Sequence, residues 1–141
     1  MSASNALGTM QGLTTIQSSF GQKATMDRLE AEIRSKGLAI FAKIDHAAGA
    51  AEVGLTLRPT SLIIFGNARG GTPLMQAAQT AGIDLPLKIL VWQDAAGKTQ
   101  LSYNEPGWIA QRHGVDGKAE LIDKLSATLT AIAKAAAGSQ Q

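Results

Sequence analysis

Leu57-Arg58-Pro59-Thr60-Ser61-Leu62-Ile63-Ile64-Phe65-Gly66-Asn67-Ala68-Arg69-Gly70-Gly71-Thr72-Pro73-Leu74-Met75 is the stretch that decides the fold. Residues 62–65 form a short apolar run rich in β-branched side chains, the pattern of a buried strand. The run does not alternate, which places it at or near the centre of a sheet with cover on both faces. Residues 66–71 read as a polar, glycine-rich loop. Thr72 and Pro73 then read as an N-cap and first helical position, where the missing proline N–H costs nothing. A core strand therefore delivers a glycine loop to a helix start.

Such a loop invites comparison with a phosphate-binding P-loop, and the comparison fails. Gly66 and Gly71 have the P-loop spacing, but Thr72 and Pro73 stand where Lys and Ser/Thr are needed. Nucleotide hydrolysis is thereby set aside. A weaker expectation survives, in which Arg69 and the N–H groups of the helix start hold a carboxylate or phosphate. The plainer alternative is that the glycines only make a turn.

Working outward, residues 12–19 read as a strand and residues 23–36 as an amphipathic helix carrying Met26, Leu29 and Ile33, stopped by Gly37. Residues 38–45 alternate, with Leu38, Ile40, Ala42 and Ile44 on one face and Ala39, Phe41 and Lys43 on the other. An alanine-rich turn or two follows over 46–54. After the organising strand, a helix is expected over 73–81 and a strand over 87–93. Residues 94–98 turn a hairpin into a strand over 99–103. A short helix over 106–113, capped by Asn104 or Glu105, precedes a long one over 118–136. Leu121, Ile122, Leu125, Leu129, Ile132 and Ala136 mark the core face of that last helix.

The expected architecture is α+β: strand, helix, four strands and helix, an antiparallel sheet with both long helices on one face. Residues 1–10 are read as a disordered tail and 11–137 as a single domain. At 141 residues and 45% hydrophobic content, one domain with its own core is the natural division. The absence of cysteine excludes disulfides and thiolate chemistry. The thirteen Lys and Arg are scattered, the net charge is +2, and aromatic residues make up only 4%. A nucleic-acid partner is therefore not expected. No apolar run approaches the ~18 residues that cross a membrane, and no signal peptide is read, so neither a membrane partner nor export is expected and a cytoplasmic location is.

Several blocks together carry a resemblance. They are Ile44-Asp45-His46-Ala47-Ala48-Gly49-Ala50-Ala51, Leu57-Arg58-Pro59-Thr60, Ile64-Phe65-Gly66-Asn67 and Gly71-Thr72-Pro73-Leu74-Met75. Leu85-Pro86-Leu87-Lys88, Val91-Trp92, Tyr103-Asn104-Glu105-Pro106 and Arg112-His113-Gly114 complete the series. Over residues 12–135 the chain resembles the bacterial domain-of-unknown-function family numbered 302, departing from it at Ala68, where that family would have Pro. The resemblance implies a fold similar to TATA-binding-protein-like domains and brings no reaction with it. Fold kinship also carries no inference of DNA binding.

The polar residues cluster at strand ends. Asp45, His46, Asn67, Arg69, Tyr103 and Asn104 are the candidate ligand-binding residues, expected to meet at one rim of the sheet. Asp45 and His46 have two readings, an acid/base pair or an N-cap on the following turn. His46, His113 and Asp45 lack metal-ligand spacing, and no cofactor fingerprint is present. His113 also suits the C-terminal end of a short helix. Lys88 is read as snorkelling at an edge, Arg58 as bracing carbonyls, and Trp92 as core. The leading expectation is a non-enzymatic small-ligand-binding or accessory module for a small anionic ligand. Alternatives are an enzyme with a histidine acid/base and a self-associating structural protein. A homodimer or higher assembly is expected, to cover the remaining sheet face.

Overall fold

The computed structural model describes residues 10–138. The expected tail, Met10 excepted, lies outside the described residues. Five strands, β1 (Leu13–Gln17), β2 (Ala39–Asp45), β3 (Thr60–Gly66), β4 (Leu87–Gln93) and β5 (Thr99–Asn104), form one sheet in the order β1-β5-β4-β3-β2. Every neighbouring pair is antiparallel. Five helices accompany them: α1 (Gln22–Ser35), α2 (His46–Glu52), α3 (Ala68–Ala77), α4 (Pro106–Arg112) and α5 (Ala119–Ala137), with a 3-10 turn at Gln79–Asp84. The architecture is the expected α+β.

The core lies between one sheet face and the long helices α1 and α5. Leu29 and Ile33 of α1 meet Leu129, Ile132, Ala133 and Ala136 of α5 over Ile63, Phe65, Ile89, Val91 and Leu101. Arg28, midway along α1, ties that helix to the end of α5. Its Nε donates to the Ala136 carbonyl at 3.1 Å and its Nη2 to that of Ala135 at 2.8 Å. Those carbonyls are in the last turn of α5, where intrahelical donors run out and a cation suits the dipole.

The organising strand β3 sits second from the edge, beside the central β4. Ile63 and Phe65 are 0% exposed. Leu62 and Ile64, on the opposite face, are only half-buried. The unbroken apolar run therefore marks one fully buried face and one partly covered one. Trp92, expected in the core, belongs to that second face. It is half-buried and its Nε1 donates to Ser102 Oγ at 2.8 Å.

Two local expectations are corrected. β2 does not alternate cleanly. Ile40 pairs with Phe65 and Ala42 with Ile64, so Phe41 is an extra residue, a β-bulge. The bulge puts Ile40 and Lys43 on the helix side, where Lys43 Nζ meets Glu30 of α1 at 3.2 Å. Ala42 and Ile44 go to the other face. The second correction is that residues 68–71 are not a loop. They are the first turn of α3, capped by Asn67, whose Oδ1 accepts from the Gly70 N–H at 2.8 Å. Pro73 lies inside the helix rather than at its start. An Asn cap needs only an extended backbone and a free N–H three residues on, and Asn67 has both. The helix thus begins five residues early and ends at Ala77.

Tyr103, the chain's one tyrosine, points into the core, 4% exposed, with its hydroxyl 3.1 Å from Thr130 Oγ1. Burial pushes its phenol above the usual range, and the nearby Glu105 carboxylate adds to this, while the Thr130 contact opposes it. A raised folded value means stability that is full below the unfolded phenol's ~10 and lost as pH rises through the folded value. Ultraviolet phenolate absorbance should therefore stay flat past the pH where the urea-unfolded chain titrates. A native titration overlying the unfolded one would show Tyr103 to be solvated.

Candidate functional site

The strand register decides which strand ends meet. Ala39 pairs with Gly66, Phe65 with Leu87, and Leu13 with Asn104, so those ends share one rim. Asp45 pairs with Ser61, Thr60 with Trp92, and Gln93 with Thr99, which defines the other. A seven-residue strand separates the rims by about 20 Å.

The six expected site residues therefore do not converge. Asp45 and His46 are on the far rim. Asp45 caps α2, its Oδ1 accepting from the Ala48 N–H at 2.9 Å, and His46 is an exposed first residue of that helix. Tyr103 and Asn104 share the near rim with Asn67 and Arg69, but the Tyr103 side chain is in the core. Antiparallel strands alternate their ends between rims, which is why consecutive strand ends cannot all meet. Among the described residues no three His, Asp or Glu side chains gather as a metal-ligand set.

Asn67 and Arg69 do line a cavity. It has a volume of about 360 Å³ and opens at the near rim between the start of α3, the Leu85–Pro86 segment, the end of α1 and one face of α5. The size fits a small organic ligand. Its walls are Leu38, Leu85, Leu87, Leu121 and Leu125, with the backbone of Gly66, Gly70 and Gly71 exposed to it. Gly70 matters here because a Cβ added to it would crowd Leu125 Cδ2, a cavity wall, at 3.3 Å.

Three cations surround these apolar walls: Lys36 just after α1, Arg69 in the first turn of α3, and Lys124 on α5. No carboxylate of the described residues is in the lining. None of the three forms an ion pair with another described residue. The N–H groups of Ala68 and Arg69 lack intrahelical acceptors because they begin α3. The positive end of that helix adds to the same potential.

Leu121 and Leu125 were legible as the apolar stripe of the last helix, but as core rather than as cavity wall. Lys124 and Thr128 complete a 121, 124, 125, 128 pattern, one helix face, and a cation inside such a stripe was the available signal. Lys36 carried none.

A second polar cluster lies where the 3-10 turn meets α4. Arg112 Nη1 donates to both oxygens of Asp84, at 3.0 and 2.9 Å. His113 Nε2 is 2.6 Å from Asp84 Oδ2, and His113 Nδ1 is 2.8 Å from Thr80 Oγ1. The histidine side chain is only 8% exposed. Lys88 donates to the Pro86 carbonyl at 2.8 Å, and desolvation holds its ammonium below the usual lysine range. Arg58 braces the Gln93 carbonyl at 3.0 Å, as expected.

An antiparallel α+β sheet with an open cavity at one rim defines the class, and the sequence profile of the family described as "Domain of unknown function DUF302" matches residues 14–132. The chain belongs to this family. A solved relative, an uncharacterized conserved DUF302 protein from Bacillus stearothermophilus, superposes with a TM-score of 0.81 over 90% of this chain and 99% of its own. Its identity is 20%, so the likeness is one of fold. Among curated proteins, the chain is 44% identical over 128 residues to the "Fluoride-specific ion channel FluC 1" of Brucella suis biovar 1 and to that of Brucella abortus biovar 1. Each match covers 90% of this chain but 50% and 47% of the relative. The chain thus spans about half the length of the curated relatives it matches. No helix of the described residues is long and apolar enough to cross a membrane.

Proposed function

We propose that this chain is a binding module for a small organic anion with an apolar body, held in the near-rim cavity. The observation that carries this reading is the meeting of Lys36, Arg69 and Lys124 around an apolar-walled cavity with no carboxylate among its described lining residues. The cations take the charged head, and the leucines of α5 and of the Leu85–Pro86 segment take the body. Retention of the ligand, rather than its transformation, is the role read here, since the described lining offers cations and leucines. The module is accessory in character, and curated relatives of twice its span support that setting. Their name brings fluoride forward as a ligand. A monatomic anion would fill little of a 360 Å³ cavity and would leave five leucine walls without a role.

The test uses 8-anilinonaphthalene-1-sulfonate, an anionic probe with an aromatic body. Lys124→Glu and Arg69→Glu should each weaken its binding about tenfold, ~1.4 kcal/mol. Stability should move by no more than about 0.5 kcal/mol, because both side chains are exposed. The uncharged analogue N-phenyl-1-naphthylamine should bind more weakly, and fluoride should not compete. Equal affinity in wild type and both variants removes the proposal, and competition by fluoride redirects it. Native mass spectrometry of the same sample reads copurified ligand and stoichiometry together. A homodimer is our reading, supported by the half-covered face of Leu62, Ile64, Leu90 and Trp92 beside exposed Ile44. A purely monomeric spectrum excludes it.

A further inference from the structure

We infer that Thr80, His113 and Asp84 form a nucleophile relay that can take an acyl group from a carboxylic ester, at a place separate from the cavity. A carboxylate is an acceptor only, so its contact with His113 Nε2 at 2.6 Å puts the proton of the neutral ring on that nitrogen. Nδ1 then carries a lone pair. At 2.8 Å it accepts from the Thr80 hydroxyl. Hydroxyl, base and orienting carboxylate are thus in hydrogen-bond sequence, the arrangement that activates a hydroxyl nucleophile on unrelated folds. Arg112 fixes the carboxylate through both of its oxygens and is a positioning residue.

Access favours the hydroxyl end. His113 is largely buried, whereas Thr80 is exposed on the 3-10 turn. Residues three apart in a 3-10 helix eclipse one another, so Ile83 shares the Thr80 face. Ile83 is 75% exposed, more than any other large apolar residue described. It offers a short acyl chain an apolar contact beside the nucleophile.

The chemistry balances with an ester and water alone. Thr80 Oγ1 bonds to the ester carbonyl carbon as its proton passes to His113 Nδ1. The C–O bond to the leaving alcohol breaks, and that alcohol takes the proton from Nδ1. Water then adds to the acyl-threonine, giving its proton to Nδ1, and the Thr80 oxygen leaves with that proton.

The experiment treats the full chain with p-nitrophenyl acetate and follows p-nitrophenolate release together with peptide mass mapping. One acetyl group should appear on Thr80. Release should fall at least about a hundredfold in Thr80→Val and in His113→Gln, the lower end of what one general base supplies. Thr80→Ser should restore it, and Asp84→Asn should slow it because the ring tautomer is no longer enforced. Acetyl found only on lysines overturns the inference, as does release from Thr80→Val equal to wild type. A cluster that merely fastens the 3-10 turn to α4 would give Asp84→Asn a lower melting temperature with release unchanged, and that result also overturns it.

Discussion

Phe65→Ala should cost about 3–5 kcal/mol of unfolding free energy, a large share of the ~5–15 kcal/mol that holds a domain together. The ring is 0% exposed and lies in the core cluster between Ile40 and Leu87, its partners on the two neighbouring strands. Truncation removes its transfer free energy and leaves a hole that the two strands cannot close without moving α1 or α5. Urea unfolding should show a lower midpoint with an unchanged slope. Gly66 and Leu87 line the cavity directly beside it, so the variant should also bind the anilinonaphthalene probe more weakly. A loss below about 1 kcal/mol would mean that the ring is not part of the core.

Gly12→Ala should be the most damaging change to any of the described glycines. Gly12 has φ +75°, and an added Cβ would sit 2.2 to 2.6 Å from three atoms of the Trp108 indole. Two penalties add. The left-handed backbone costs a side-chain-bearing residue about 1–2 kcal/mol, and displacing a packed ring costs about 1–3 kcal/mol more. Gly12 also accepts the Glu105 N–H at 2.8 Å, which holds the start of α4 against β1. A displaced indole would lose its place beneath the Arg112 guanidinium, 5.6 Å from the ring. Gly37→Ala is the control, since Gly37 has φ +73° and nothing within 4 Å of the added carbon. The difference between the two variants isolates the indole clash. Equal losses would show that Trp108 yields freely.

Much of the fold was legible because its signals are local. The β4–β5 hairpin, the stripes of α1 and α5, and the glycine stops all depend on neighbours within a few residues. Two misreadings have local causes as well. A single extra residue at Phe41 shifts the phase of β2, and alternation cannot reveal an insertion when alanines fill both faces. At Asn67 the cap is masked in the sequence by Thr72-Pro73, a second plausible start, with glycines between them that have the composition of a loop.

The site was legible only at Asn67 and Arg69. Strand ends are readable from sequence, but their rim is set by pairing across the sheet. Register placed Asp45 and His46 about 20 Å from the cavity. Lys36 and Lys124 come from helices whose relative placement depends on the whole core. Thr80 and Asp84 sit in a 3-10 turn whose sequence reads as the tail of a helix and the loop beyond it, with no spacing that marks either residue.

The bulge at Phe41 has a consequence for how this protein tolerates crowding. β2 is an outer strand, and a straight one would offer a row of open N–H and carbonyl groups to any passing chain. The extra residue breaks that row in the middle and turns a 55% exposed ring outward at the break. A second strand could bond to one half of β2 only by losing register with the other. The irregularity that spoils the alternation of β2 therefore acts as a guard against fibril growth, and it steers any pairing of copies toward the face of the sheet instead of its border.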